Sequence, residues 1–188
     1  MALLTTTVRG LLSLLMLQVA ACWVLDPAYG DGVFQFTYEI GHGSRPDLLN
    51  ISQYKIDHNR PPPYAKNETR LPAALTHKKC FHGSDHDLDR GDLDLAKRGL
   101  MNWCERYTPF PSSIVISVVN NATVYAAFSY TDRGVTYIAS DPICSARGID
   151  RAWASMDKKC GSNKWASAHV WFLEREYGRA RRGTRIWS

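Results

Sequence analysis

The sequence predicts an α+β fold in which two helices pack on one face of an antiparallel sheet of four or five strands, held by two disulfides. Three observations predict this class. Two stretches repeat apolar residues at helical spacing. Several shorter runs are rich in β-branched and aromatic residues, as strands are. Four cysteines, an even number, follow an apolar amino-terminal segment, which suits two disulfides in an oxidising compartment.

The amino terminus has the pattern of a secretory signal peptide. Arg9 precedes an apolar run over residues 11–21 that is too short to span a bilayer and ends in small residues. We expect cleavage after Ala21 or Cys22, so that residues 1–21 are a signal peptide. The alternative is a bacterial lipobox, which would place a lipid on Cys22.

Three Asn-x-Ser/Thr sequons favour a eukaryotic secretory route and predict a glycoprotein that acts outside the cell. Their acceptor residues are Asn50, Asn67 and Asn121.

The paired cysteines predict structural cross-links rather than a metal site. Their spacing lacks the Cys-x-x-Cys pairs of a zinc site, and we expect no metal and no cofactor. The sequence is compatible with three disulfide pairings. The cysteines are Cys80, Cys104, Cys144 and Cys160.

Residues 22–79 are predicted to form an amino-terminal arm. Within the arm, residues 33–40 alternate apolar and polar side chains, which indicates a half-buried strand. Residues 41–79 contain glycines, a run of three prolines and two sequons, and we expect an irregular, glycosylated segment there.

Residues 80–178 are predicted to form the disulfide-stapled domain, which opens with a helix. Asp89 is placed to cap a helix whose third residue is Asp92, and prolines at 109 and 111 would end it. Its apolar face would consist of Leu93, Ala96, Leu100, Trp103, Cys104 and Tyr107.

Three β-type runs follow, at Ser113–Val119, Thr123–Tyr130 and Val135–Ala139. They are joined by Asn120-Asn121 and by residues 132–134, both suited to hairpin turns. The sequence therefore predicts an antiparallel meander.

A second helix and a last strand complete the predicted domain. The helix has two lysines in its last turn and Gly161 just past it, and the strand covers Ala168–Glu174. Residues 179–188 are expected to be a basic tail, in which a secretory protease could cut at Arg179–Arg182. The apolar face of the helix would be Ile149, Ala152, Trp153, Met156 and Cys160.

No catalytic residues are predicted. The mature sequence has no Gly-x-Ser-x-Gly motif and no cysteine left over from two pairs, which argues against acyl transfer. An EF-hand over Asp85–Asp89 fails because the glycine falls one place late, at Gly91, and Ala96 occupies the closing position. The alternative interpretation is a small hydrolase of the ribonuclease or glycosidase kind, with His169 and Glu174 as acid and base.

Exposed aromatic residues are the candidates for ligand binding. Trp165 and Trp187 lie outside the predicted helix faces and are the better surface candidates, whereas Trp103 and Trp153 should be buried. The net charge of +5 includes a cluster of arginines near the carboxyl terminus. The expected partner is a host or cell-surface protein or glycan, without nucleic acid and without stable membrane insertion.

The region from Cys80 to Gly178 resembles small secreted fungal effectors of the necrosis-inducing factor type and fungal killer toxins. The resemblance rests on Gly83-Ser84 after Cys80, on Asn102-Trp103-Cys104, on strands that lead to Cys144, and on Lys159-Cys160-Gly161. It covers roughly half the chain. The resemblance implies a secreted, non-enzymatic protein that recognises or perturbs a neighbouring cell. The alternatives are the small hydrolase and a module that binds glycans or cell walls.

Overall fold

The computed structural model describes a large part of the chain in nine stretches. The predicted signal peptide, the predicted strand Val135–Ala139 and the sequon at Asn67 lie outside them. The described residues are 23–24, 29–38, 48–54, 76–81, 87–107, 109, 113–128, 144–170 and 175–186.

The described chain is an α+β fold, as predicted. Its helices are α1 (Arg90–Cys104) and α2 (Ala146–Cys160). The strands are β1 (Trp23–Val24), β2 (Gly32–Tyr38), β3 (Leu48–Tyr54), β4 (Thr76–Cys80), β5 (Ser113–Val119), β6 (Ala122–Phe128), β7 (Ala166–Val170), β8 (Arg175–Arg181) and β9 (Arg185–Ile186).

Seven of the described strands form one antiparallel sheet in the order β3-β2-β5-β6-β8-β7-β4, and β1 pairs with β9 in a separate ladder. The predicted class and antiparallel pairing are confirmed, but the predicted count of four or five strands is too low. The extra strands are polar or short, so their sequences carry no strong strand pattern.

Both helices begin at the capping residues that helical chemistry prefers. The Asp89 carboxylate accepts from the Asp92 N–H at 2.9 Å, as predicted, and the Ser145 hydroxyl accepts from the Gly148 N–H at 3.1 Å. Helix α2 ends at Cys160 and is capped by Gly161, whose φ of 96° lies in the region that favours glycine.

The main core lies between the two helices and one face of the sheet. Leu93, Leu100 and Trp103 of α1 and Ile149 and Met156 of α2 are buried there, as the helical spacing predicts. Strands β5 and β6 are buried at every position, because the other face of the sheet is also covered. That second cluster includes Phe34, Phe36, Ile114, Ile116 and Ile186.

The four cysteines form two disulfides, Cys80–Cys160 and Cys104–Cys144, with Cα atoms 5.4 and 5.2 Å apart. This is one of the three pairings left open by the sequence. The first bond fastens edge strand β4 to the end of α2, and the second fastens the end of α1 to the start of α2. Disulfides of this kind are typical of proteins from oxidising compartments.

The prediction of an irregular segment over residues 41–79 is wrong for the two parts that are described. Leu48–Tyr54 forms β3 and Thr76–Cys80 forms β4, which are the two opposite edges of the sheet. An edge strand pairs on one side only, so it needs less apolar sequence than a central strand.

The prediction of a basic tail after residue 178 is also wrong for its described part. Strand β8 continues through Arg179 to Arg181, between β6 and β7, and β9 follows it. Arg179 is buried within the structure because its guanidinium group has partners there. Its Nε donates to the Lys164 carbonyl at 2.7 Å, and its terminal nitrogens donate to Asp157 and to the Gly161 carbonyl, each at 2.6 Å.

Arg179 also lies over the Trp153 ring, with its guanidinium carbon 4.9 Å from the ring centroid. Burial lowers the pKa of the Arg179 guanidinium, and the hydrogen bond and charge of Asp157 oppose that shift. One buried cation therefore holds the end of α2 and the following turn against the sheet.

Candidate functional site

His169, the residue singled out as a candidate acid or base, lies on the sheet face opposite the helices. In the register of the sheet it is directly opposite Glu176 of β8 and His77 of β4. Side chains paired in this way have Cβ atoms about 4.5–5.5 Å apart. The structure therefore brings two imidazoles and a carboxylate into one row across three strands.

Tyr125 extends this row from the next strand. It is paired with Gly178 and its hydroxyl donates to Glu176 Oε1 at 2.8 Å, which spans one diagonal of the sheet. A Cβ atom built on Gly178 would overlap the phenol ring. The absence of a side chain at Gly178 is therefore what lets the ring cross β8 and reach Glu176.

Edge strand β4 adds a cation and an exposed ring to the same face. The alternation of a strand places Lys79 beside His77, and the Phe81 N–H continues the ladder by donating to the Trp165 carbonyl at 3.2 Å. His77 and Lys79 are exposed, and Phe81 is 46% exposed. We call this region the polar patch. It consists of the exposed His77, Lys79 and Phe81, the half-buried His169 and Glu176, and the buried Tyr125 and Ser167.

A second surface, the aromatic ledge, consists of Tyr54, Trp103 and Tyr107. Ring centroids are 4.7 Å apart for Tyr54 and Tyr107, 5.5 Å for Trp103 and Tyr107, and 5.7 Å for Tyr54 and Trp103. Trp103 is buried, Tyr54 is half-buried and Tyr107 is 43% exposed. The stack therefore rises from the core to the solvent.

The backbone below the ledge is firmly held. The Tyr107 N–H donates to the Trp103 carbonyl at 2.9 Å, and the neighbouring Cys104 is bonded to Cys144. Tyr107 was predicted to continue the apolar face of the first helix. It lies past the end of α1 instead, because the helix ends at Cys104.

Buried polar atoms without partners accompany the ledge. The Trp103 indole N–H and both amide atoms of Asn102 are buried, and within the described part of the chain nothing hydrogen-bonds to them. An unpaired buried polar group costs about 1–3 kcal/mol.

The other predicted site residues fall in different places. Trp165 is half-buried and packs against the main core, so it does not offer the free ring that was predicted. Glu174 and Trp187 lie outside the described residues. Among the sequons, Asn121 is exposed in the turn between β5 and β6, as predicted, and Asn50 lies in β3.

The sequence interpretation chose Glu174 rather than Glu176 as the carboxylate, and it missed His77 and the ledge. Residues 175–181 contained a signal for β8, because side chains alternate between the two faces of a strand. In the observed register, the even-numbered residues of this range lie on the same face of the sheet as His169. No comparable signal identified Tyr107, because its exposure depends on where α1 ends.

Among the residues that the structure describes, no three His, Cys, Asp or Glu side chains are grouped so that they could hold a metal ion. In the same stretches, neither helix has the length and apolar character needed to cross a membrane.

Comparison with known proteins gave no match, whether to family models, to curated proteins or to solved structures.

Proposed function

We propose that this chain is a secreted, disulfide-stapled protein of the effector or toxin type that binds a target on another cell, and that the aromatic ledge is its recognition surface. The observation that carries the proposal is the stack of Tyr54, Trp103 and Tyr107, which is rooted in the core and exposed at its tip.

The physical argument starts from the rigidity of the stack. Aromatic side chains bury a large area and have few rotatable bonds, so ordering them on binding costs little entropy. The Cys104–Cys144 bond and the packing of Trp103 fix the stack before any partner arrives. A preformed aromatic anchor is typical of binding hot spots and of surfaces that stack on sugars.

The extracellular part of the proposal is supported by two features of the fold. The two disulfides suit an oxidising compartment. Strand β1 begins at Trp23, directly after the expected cleavage point, and pairs with Ile186. Mass spectrometry of the protein from culture medium should give a first residue near Cys22 or Trp23 and sugars on the sequons; a lipid on Cys22 would contradict secretion.

The ledge is tested with two single variants of the labelled protein, Tyr107→Ala and Phe81→Ala. Both remove an exposed ring, but only Tyr107 belongs to the stack. We expect Tyr107→Ala to reduce retention on intact yeast cells or plant protoplasts by about tenfold or more, since hot-spot truncations cost at least about 2 kcal/mol. We expect Phe81→Ala to bind as the unaltered protein does.

Equal binding by both variants would reject the ledge as the recognition surface, and absence of wild-type retention on both cell types would reject the binding function. Pull-down on insoluble chitin and glucan identifies the glycan-binding alternative. Retention there that Tyr107→Ala abolishes would identify the target as a polysaccharide.

A further inference from the structure

We infer that the polar patch is an acid–base site that cleaves phosphodiester bonds in single-stranded RNA. The inference is independent of the aromatic ledge, which involves none of the same residues. It differs from the sequence-based expectations that the protein is non-enzymatic and binds no nucleic acid. Those expectations rested on sequence motifs and overall charge, which do not reveal the register of β4, β7 and β8.

His77 and His169 supply the acid and the base. They face each other on neighbouring strands, so a substrate that lies across the two strands contacts both imidazoles. Histidine exchanges protons readily near neutral pH, and a pair can hold one neutral and one protonated ring at the same time. That combination is what a concerted proton transfer requires.

Glu176 and Tyr125 are positioning residues for the base. Glu176 is opposite His169 on the side away from His77, and the Tyr125 hydroxyl holds its carboxylate by a 2.8 Å hydrogen bond. A carboxylate beside an imidazole stabilises the imidazolium that forms when the ring accepts a proton. In the reaction inferred here, His169 acts as the base and His77 as the acid.

The neighbouring groups on β4 match a single-stranded nucleic acid. The Lys79 ammonium is on the same face as His77 and would pair with a backbone phosphate. Phe81 follows on the same face with 46% of its surface exposed, which suits stacking with a base. RNA rather than DNA is specified because the 2′-hydroxyl of RNA can serve as the attacking group.

In the reaction, His169 removes the proton of the 2′-hydroxyl and the 2′-oxygen attacks the adjacent phosphorus. The bond from phosphorus to the 5′-oxygen breaks, and His77 donates a proton to that leaving oxygen. The products are a 2′,3′-cyclic phosphate and a free 5′-hydroxyl. No oxidant, reductant or co-substrate is consumed, and the two imidazoles end with their protonation states exchanged.

The test uses the full-length secreted protein and a fluorescent single-stranded RNA oligonucleotide, with a DNA oligonucleotide of the same sequence as control. We expect RNA cleavage that leaves 2′,3′-cyclic phosphate ends, no DNA cleavage, and a rate that falls on both the acid and the alkaline side. His77→Gln and His169→Gln should each lower kcat by about 100-fold or more. His77 is exposed, so its variant tests the chemistry without burdening the fold.

A pair of lysine variants distinguishes RNA binding at the polar patch from a general effect of positive charge. Lys79→Ala should raise KM for RNA, whereas Lys78→Ala, which alters the opposite face of the same strand, should not. Glu176→Gln should shift the acid limb of the pH profile as well as lower kcat, which a purely structural role would not do.

Absence of RNA cleavage by the wild type would overturn the inference. So would equal rates from the wild type and both histidine variants, which would indicate a contaminating nuclease. Binding of RNA without cleavage would also overturn it.

Discussion

Tyr125 and Gly178 face each other across strands β6 and β8 so closely that any side chain at position 178 would overlap the phenol ring. We expect Gly178→Ala to destabilise the protein by about 1–3 kcal/mol, as overpacking does, and to break the Tyr125–Glu176 hydrogen bond. Denaturant unfolding measures the loss. Gly30→Ala is the matched control and should be close to neutral, because a Cβ there meets nothing within 4 Å.

A double variant tests whether overlap with the Tyr125 ring causes the loss of stability in Gly178→Ala. Adding Tyr125→Ala to Gly178→Ala removes the obstruction, so the two effects should be strongly non-additive. Additive losses would mean that Gly178 is required for another reason.

The buried Arg179 should contribute far more to stability than the partly exposed Arg182, although each pairs with an aspartate. The Arg179 side chain is fully buried and Asp157 is 36% exposed, whereas Arg182 and Asp31 are 20% and 41% exposed. Removing one partner of a buried pair costs about 3–5 kcal/mol, and the partial exposure of Asp157 favours about 3. An exposed pair contributes at most about 1 kcal/mol.

Arg179→Met and Arg182→Met, compared by thermal and denaturant unfolding, check this expectation. Similar losses in the two variants would show that the hydrogen bonds from Arg179 to the turn after α2 are not important for stability.

The two disulfides should differ modestly in their contributions to stability, and the disulfide that closes the longer loop should contribute more. Cys80–Cys160 joins residues 80 apart and Cys104–Cys144 joins residues 40 apart. Doubling the closed loop adds about 0.6 kcal/mol to the entropy removed from the unfolded chain, on a base of about 2–5 kcal/mol for each bond. Unfolding of the two paired Cys→Ser variants measures the difference, and non-reducing peptide maps should recover these two pairs and no others.

The dibasic sequence Arg179–Arg182 should resist processing in the folded protein. It lies in β8 and in the turn where the Arg182 N–H donates to the Asn121 carbonyl at 2.9 Å, and Ile186 beyond it is buried. A protease specific for paired basic residues needs an extended, accessible chain. We expect the intact mass to reach Ser188 after incubation with such a protease, and cleavage only after reduction and unfolding. Rapid cleavage of the native protein would contradict the pairing of β8.

The helices were predictable from the sequence because their signals are local. Asp89 as cap and the buried positions of α1 and α2 follow from spacing within one turn or a few turns. The central strands β5 and β6 were predictable for a similar reason, since they are continuous apolar runs.

Strand β8 was not predictable in the same way. Arg175 and Arg179 occupy buried positions on the helix side of the sheet, so the sequence there looks like a polar strand end. The group that makes Arg179 acceptable inside is Asp157, which lies 22 residues earlier in the chain and on a different element. A pairing of that kind depends on the tertiary structure and produces no periodic pattern in the sequence.

The candidate acid–base site was half predictable. His169 was identified by its residue type, but Glu174 was chosen as its partner because both lie in one predicted strand. The structure pairs His169 with Glu176, since the register between β7 and β8 sets which carboxylate faces the imidazole.

The position of β8 in the sheet has a consequence for the order of events during biosynthesis. Strand β8 lies between β6 and β7, and the edge strand β4, although made much earlier, joins the sheet by pairing with β7. A chain that emerges amino terminus first therefore cannot complete the sheet until Arg181 has been released into the compartment where folding occurs. Until then β7 and β4 cannot join the rest of the sheet, which makes completion of the sheet a late event in folding.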